Sequence, residues 1–320
     1  MKVLVTGGNG FVGKELISSM LSQGTYTPVS GVRKKNKVEN HNDELNIVEL
    51  GNLEEAADMK ELLKDFDVIV HTAARVHKMN DLSKNPLSDF METNCLGTLN
   101  LARQAANFGV KRFIFLSSIK VNGERTQPNN SFRFDDERKG EDAYAKSKAE
   151  AEIGLLKIAD DTQLEVVIIR SPLVYGPGVK ANFAALLKLA SKNLPLPLSS
   201  IENKRSFVSV DNLVSLIVTC IDHPKAANQI FLVSDDSDIS TSELFTIMVE
   251  AFGNKARLFK INPSFLKSIA RLIGKKSMID RLCDDLTLDI QHTKDSLDWT
   301  PVVSTAEGIK LCVSKIITNK

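Results

Sequence analysis

Gly7, Gly10 and Gly13 follow the apolar run Val3-Leu4-Val5 almost without a break. Between a buried strand and a helix start, glycines at this spacing let backbone N–H groups close on a dinucleotide pyrophosphate. Far downstream, Tyr144 and Lys148 stand four residues apart, so on a helix a phenol and an ammonium share one face. An ordinary phenol titrates near pH 10, and neighbouring positive charge favours its ionised form. Bringing it to ~7 requires about 4 kcal/mol of differential stabilisation, within reach of two nearby cations in a partly dry site. Ser117 and Ser118 close another apolar run. A hydroxyl there can hold a reacting oxygen in line for proton transfer, although strand-end serines also serve as turn or cap residues. In this order the residues point to nicotinamide hydride chemistry with a tyrosine acid/base.

Positioning these groups requires alternating elements, and the pattern supplies them. Strands are expected over 2–6, 28–33, 46–50, 67–72, 112–117 and 166–170, with helices over 11–22, 54–64, 93–108 and 144–157. Such alternation gives an α/β fold, a Rossmann-type doubly wound parallel sheet that binds ligands beyond the carboxyl ends of its strands. The pattern then changes. Residues 171–206 hold Pro172, Pro177, Pro195 and Pro197, with an apolar helix expected over 182–190. A helix over 208–221, a returning strand over 229–234 and a mainly helical remainder from 241 follow. The expected division is a dinucleotide-binding domain of 1–170 plus 207–236, and a smaller, mainly helical substrate domain of 171–206 plus 237–320.

Composition excludes several other functions. The 41 Lys and Arg balance 40 Asp and Glu, so no net field favours nucleic acid or an anionic membrane. The four cysteines form no CxxC, and His41, His71, His77, His223 and His292 show no metal-ligand spacing, so no metal is expected. No apolar run approaches the ~18 residues of a membrane span, and the glycines after Val5 rule out a secretory signal, so a cytoplasmic protein is expected. Residues 265–276 combine apolar and basic positions; a packed helix with a solvated basic face is expected there rather than a membrane-surface helix. Past the glycines, the second strand ends in Val32-Arg33-Lys34-Lys35, where an acid would accept hydrogen bonds from the ribose 2′-OH of NAD. The cations there favour NADP over NAD.

Longer motifs carry a family resemblance. Thr6-Gly-Gly-Asn-Gly-Phe-Val-Gly13 matches TGxxGxxG, and Tyr144-x-x-x-Lys148 matches YxxxK. His71-Thr-Ala-Ala74, Asn94-x-x-Gly-Thr98, Arg170-Ser-Pro-Leu-Val-Tyr-Gly-Pro-Gly178 and Lys204-Arg-Ser-Phe-Val-Ser-Val-Asp211 extend the match over nearly the whole chain. The chain resembles the extended short-chain dehydrogenase/reductases of the nucleotide-sugar epimerase/dehydratase group. That resemblance implies a catalytic set of Ser118, Tyr144 and Lys148. It implies a cofactor site of Gly7, Gly10, Phe11, Val12, Gly13, Arg33, Lys34, Asn52, Leu53, Ala73, Ala74, Asn94 and Pro172, completed by Tyr144 and Lys148. Substrate contacts are implied for Ser118, Asn182, Leu196 within 194–198, Arg205 and Arg281, the arginines facing phosphate oxygens.

Departures from the family pattern narrow the reaction. In the 4,6-dehydratases a threonine followed by Asp-Glu stands where this chain has Ser118-Ile119-Lys120, so dehydration is not expected. The segment 117–123 and Pro195-Leu-Pro-Leu198 resemble bacterial surface-polysaccharide enzymes, a subgroup that includes UDP-N-acetylquinovosamine dehydrogenase and UDP-glucose 4-epimerase-like proteins. The first expectation is a reductase that uses NADPH on a UDP-4-keto-6-deoxy-hexosamine. The alternatives are a UDP-hexose or UDP-hexosamine 4-epimerase with retained NAD, and a non-catalytic dinucleotide sensor. A homodimer through 93–108 and 144–157 is a further expectation from the resemblance.

Overall fold

In the first strand, β1 (Lys2–Thr6), the last four residues are buried, as a central strand covered on both faces requires. The computed structural model describes residues 1–35, 45–55, 58–76, 85–262 and 276–318. After β1 come β2 (Thr27–Val32), β3 (Asn46–Glu49), β4 (Val68–His71), β5 (Arg112–Ser118) and β6 (Glu165–Ser171). The short β7 (Leu173–Tyr175) and β8 (Phe207–Ser209) pair with each other in a separate parallel ladder, and β9 (Gln229–Leu232) returns to the main sheet. That sheet has seven parallel strands in the order β3-β2-β1-β4-β5-β6-β9. The chain winds outward from β1 to β3 and then resumes on the opposite side of β1, so β1 and β4 flank the point where winding reverses. Thr6 pairs with His71 at their carboxyl ends, and a crevice opens there.

Helices cover both faces. On one, α1 (Phe11–Gln23) packs through Leu16, Ile17 and Met20 against the apolar face of a later helix, residues 210–222. The short α2 (Lys60–Leu63) and α3 (Pro86–Phe90) precede a π-helical segment, Met91–Leu96, that runs into α4 (Gly97–Asn107). On the other face, α4 and α5 (Ala143–Asp161) bury Leu101, Ala102, Ala105, Ala151 and Leu155. Beyond β6 lie α6 (Ala181–Ser191), α7 (Val210–Asp222) and α8 (Thr241–Ala251), then α9 (Lys276–Cys283), α10 (Gln291–Leu297) and α11 (Thr305–Thr318). A third apolar cluster, with Phe183, Leu187, Phe245, Met248 and Ile309, joins α6, α8 and α11.

Several boundaries differ from those read in the sequence. The acidic stretch 54–64 is helical only at Lys60–Leu63. Asn52 and Glu55 close a local turn, and the Asp58 carboxylate accepts the Lys60 N–H, bonds that compete with helix formation. The helix expected from 93 begins at Pro86, with Asn85 accepting the Ser88 N–H and proline at the first helical position. The helix expected from 208 starts only after Ser209, because Phe207–Ser209 pairs with β7 and Ser209 then caps α7. Two-residue alternation is too short a signal to reveal such three-residue strands. His41, His77 and the basic stretch from 265 to 275 lie outside the described residues.

One buried carboxylate stitches the third cluster to the sheet. Asp235, just past β9, accepts from the Tyr175 hydroxyl at 2.7 Å, the Asn212 amide at 2.7 Å, the Ser209 N–H at 2.8 Å and the Thr305 hydroxyl at 3.2 Å. Burial alone would raise this carboxyl steeply; the four donors pull it back, and it stays above the usual carboxylate range. Asp235→Ala leaves those donors without an acceptor, and urea unfolding is expected to show a loss of about 3 kcal/mol. A loss below about 1 kcal/mol would mean that the donors find water or other acceptors.

Candidate active site

The turn after β1 is shaped by close backbone approach. Gly7 has φ +69°, and a Cβ on it would meet Ala73 N at 2.8 Å; a Cβ on Gly13 would meet Gly7 O at 2.3 Å. The first needs glycine for its backbone as well as for space, and the second for helix–strand contact. Gly10 is the N-cap of α1, its side of the turn closed by its N–H to Gly7 O at 2.7 Å. Among the described residues no side chain accepts the first-turn N–H groups of α1, and no acid lies in that turn. Such an end, with donors left for an anion and a cradle that a Cβ would fill, fits a dinucleotide pyrophosphate. Phe11, Val12 and Gly13 form the first turn, where Phe11 and Val12 pack on the core beneath.

A cleft of ≈ 280 Å³ opens at this turn, lined by Gly7, Gly10, Arg33, Leu53, Ala73 and Ala74 among the expected residues. It is also lined by His71 of the His71–Ala74 motif, and by Asn9, Gly31, Gly51, Glu54 and Thr93, which motif reading did not select as cofactor residues. Gly31 and Gly51 come to the cleft through strand register, and Thr93 through the π-helical segment, so no local sequence signal marks them. Lys34 is exposed beside Arg33. A carboxylate does stand at this end of β2, contrary to the reading of the sequence. Val32 pairs with Glu49, whose Oε2 accepts the Lys35 N–H at 3.0 Å. Glu54 Oε2 is buried in the cleft wall and accepts no hydrogen bond among the described residues.

Two expected cofactor residues are used differently. The exposed Asn52 gives its amide to Glu55 at 2.8 Å. Asn94 is 1% exposed, and its amide clamps the loop after β4. Its Oδ1 accepts the Arg75 N–H at 2.8 Å, and its Nδ2 donates to Arg75 O at 3.0 Å and Ser147 Oγ at 3.1 Å. Asn94 thus sets the wall of the cleft from behind. Pro172 is buried between β6 and β7.

At the carboxyl end of β5 the strand alternation divides two serines. Ser117 Oγ donates to the buried Glu152 at 2.6 Å, whereas Ser118 Oγ accepts the Lys120 N–H at 3.3 Å and stands near enough to the Tyr144 phenol to favour its ionised form. Asp142 caps α5 through the Ala145 N–H at 2.7 Å and places Tyr144 in the first turn. Lys148, one turn on, is 2% exposed; its Nζ donates to Leu116 O at 2.9 Å and lies 4.2 Å from the Phe115 ring centroid. Burial lowers Lys148 to about 7, partly opposed by the Glu152 charge. Burial also pushes the Tyr144 phenol up to about 12; Asp142 adds to this, and the Ser118 hydroxyl opposes it. The sequence suggested a phenol lowered by Lys148, but desolvation of both groups outweighs that effect in the protein's own environment.

The expected substrate residues lie on the far side of β6. Arg205 bridges Ile239 and Leu286, and its Nη1 donates to Asp284 O at 3.0 Å. Burial lowers its pKa, Asp284 and Asp285 oppose this, and Arg281 lowers it further, so the two arginines feel each other's charge. Asn182 is exposed in the first turn of α6, and Leu196 is bridged to Leu258. Among the described residues no group of three His, Cys, Asp or Glu could hold a metal, and no helix is long and apolar enough to cross a membrane.

Residues 3–234 match the model of the NAD dependent epimerase/dehydratase family. The chain is 48% identical over 309 residues to the Vibrio cholerae protein named UDP-glucose 4-epimerase, spanning 96% of this chain and 93% of that protein. Its fold matches the crystal structure of UDP-glucose 4-epimerase from Thermotoga maritima with UDP-glucose, with a TM-score of 0.79 at 23% identity over 100% of this chain and 99% of that one. It also matches UDP-glucuronic acid 4-epimerase from Bacillus cereus in complex with NAD, with a TM-score of 0.78 at 19% identity over 100% and 99% of the two chains.

The cleft floor makes stability depend on pH. His71 lies between Thr6 Oγ1, 2.7 Å from Nδ1, and Thr98 Oγ1, 3.0 Å from Nε2. Thr98 Oγ1 donates to Asn94 O at 2.7 Å, so it accepts from Nε2–H, and Nδ1 accepts from Thr6. Burial, and then the Lys148 charge, lower His71 to about 3. The unfolded chain binds this proton below its ordinary 6.5 while the fold refuses it, so stability falls as pH drops from 6.5 toward 3. The full loss is on the order of 4 kcal/mol. Thermal unfolding between pH 7 and 4 is expected to show a decline that His71→Gln flattens; an equal decline in both proteins would assign it to other groups.

Proposed function

From the chain's membership of the NAD dependent epimerase/dehydratase family, whose enzymes it joins, we propose that it is a 4-epimerase of a UDP-linked hexose that works with retained NAD. The observation that carries this reading is the 48% identity, over nearly the whole of both chains, to the Vibrio cholerae UDP-glucose 4-epimerase. That likeness ranks epimerisation ahead of the reductase expected from the basic end of β2.

The residues support this chemistry. Tyr144 takes the proton of the sugar 4-hydroxyl and returns it, while the Ser118 hydroxyl, close to the phenol, holds the same oxygen. A nicotinamide held in the cleft would supply a reversible hydride acceptor for sugar carbon 4. Between the two transfers the 4-keto sugar turns over, so hydride returns to the opposite face. Lys148, buried beneath, holds the nicotinamide ribose, and Leu53, Ala73 and Ala74 line the path of the dinucleotide. Arg205 and Arg281 hold the substrate diphosphate, as paired guanidinium groups suit phosphate oxygens. The division into a dinucleotide part and a substrate part around α6, α8 and α11 belongs to this same proposal.

Incubation with UDP-galactose is expected to yield UDP-glucose without added cofactor. Tyr144→Phe is expected to lower kcat by about 10²-fold or more while UDP-sugar binding persists. Failure to interconvert UDP-hexoses or UDP-hexosamines, together with NADPH consumption on a 4-keto sugar, would replace this reading with the reductase.

The cofactor choice has its own measurement. Protein purified without additives is expected to release NAD on denaturation, and Arg33→Ala is expected to leave that content unchanged. Exchangeable NADP, bound more weakly by Arg33→Ala, would make Arg33 and Lys34 a 2′-phosphate site instead.

A further inference from the structure

Lys120 has no part in the chemistry above, yet it touches both of its halves. It lies in the short 3-10 turn Ile119–Val121 directly after Ser118, and its N–H donates to Ser118 Oγ at 3.3 Å. Its Nζ stands 2.8 Å from Glu124 Oε1 and 2.5 Å from Asp142 Oδ2. Asp142 is the cap of α5, with its other oxygen on the Ala145 N–H at 2.7 Å. One ammonium therefore ties the segment carrying Ser118 to the cap of the helix carrying Tyr144, two residues further on.

We propose that Lys120 is a positioning residue for Tyr144, bridging to Asp142 so that Ser118 and the phenol stay aligned and the carboxylate capping α5 stays ion-paired. The proposal rests on the reading of Tyr144 as the acid/base group. Asp142 is the carboxylate that works against that group. Burial alone would raise Asp142, but the Lys120 hydrogen bond, the Ala145 N–H and the Lys120 charge together hold it below the usual carboxylate range. Lys120 is the cation facing it. Burial opposes the charge on Lys120 too, and the hydrogen bonds to Asp142 and Glu124 more than restore it.

The other charged neighbours are arranged differently. Lys148 lies on α5 itself, one turn on, with Glu152 beyond it. From α3, the Phe90 ring meets Tyr144 edge-on at 6.1 Å, and Asp89 there is paired with Arg75 at 3.0 Å. Removing the Lys120 ammonium leaves Asp142 facing the phenol with the Ala145 N–H and its contact with Glu124 as the remaining offsets.

Lys120→Met is expected to move the rising limb of the kcat–pH profile upward by about one pH unit. At a fixed pH on that limb this is an about tenfold loss of kcat, with KM within roughly twofold of wild type. Lys120→Arg is expected to restore the limb, and so is Lys120→Met combined with Asp142→Asn, which keeps a cap acceptor without the charge. Tyrosine labelled at 13Cζ gives an independent readout, because the chain has only three tyrosines and Tyr144→Phe assigns the signal. The Tyr144 resonance should titrate higher in Lys120→Met and return in the double variant. If Lys120→Met does not fold, Lys120→Gln removes the charge and keeps a donor. An unmoved limb and resonance, or a double variant no better than the single one, would overturn the proposal. Full activity in Tyr144→Phe would instead overturn the acid/base reading itself.

Discussion

The catalytic geometry depends on the carboxylate of Glu152, buried with no exposed surface in the middle of α5. It accepts from Ser117 on β5, from Arg170 on β6 through two nitrogens, and from Arg138 in the loop before α5. Arg170 in turn reaches Asn122 Oδ1 and Phe134 O, so the same hub holds the loop that follows Ser118. Replacing such a network by apolar side chains of equal volume could leave a protein as stable, whereas deleting one partner leaves unpaired charge in a dry interior. What the hub supplies here is geometry. It fixes the rotation and height of α5 against two strand ends, and with them Tyr144 and Lys148 relative to Ser118.

Dryness at this place has a chemical consequence. His71 and Lys148 are buried and Tyr144 partly so, and burial disfavours the charged form of each. The histidine becomes a fixed neutral hydrogen-bonding post between two threonines, the lysine sits near neutrality, and the phenol is hard to ionise. A site built this way has low resting charge, so a cation brought to it acts with little screening. The cofactor cleft is of another kind: an open helix end, glycine backbone and small side chains, where shape and backbone donors do the recognition.

The winding order joins the two regions. Because β1 and β4 flank the reversal and β5 follows β4, the glycine turn, the wall after His71 and the end of β5 share one edge of the sheet. The π-helical segment Met91–Leu96 adds a finer adjustment, presenting Thr93 to the cleft while Asn94 turns inward to clamp the loop at Arg75. Helix α5 then reaches across with its capped end, and β7 and β8 lead the chain out to the arginines of the substrate side.

The sheet class and the glycine turn are legible in the residues because each rests on local rules, and the same rules mark Ser118, Tyr144 and Lys148 as candidates for one site. Buried strands read as short apolar runs, a tight turn against a helix needs glycine, and residues four apart share a helix face. The sequence also marked Arg205 and Arg281 through their motif and residue type. Only the tertiary structure decided what depends on register and burial. It brought Glu49 beside the end of β2, committed Ser117 to Glu152 while leaving Ser118 beside Tyr144, and turned Asn94 from the cleft into its wall. It set Lys120 against Asp142 across 22 positions of sequence and reversed the expected direction of the Tyr144 pKa. Desolvation is a property of the surroundings that distant strands and loops create, so no local pattern of residues encodes it.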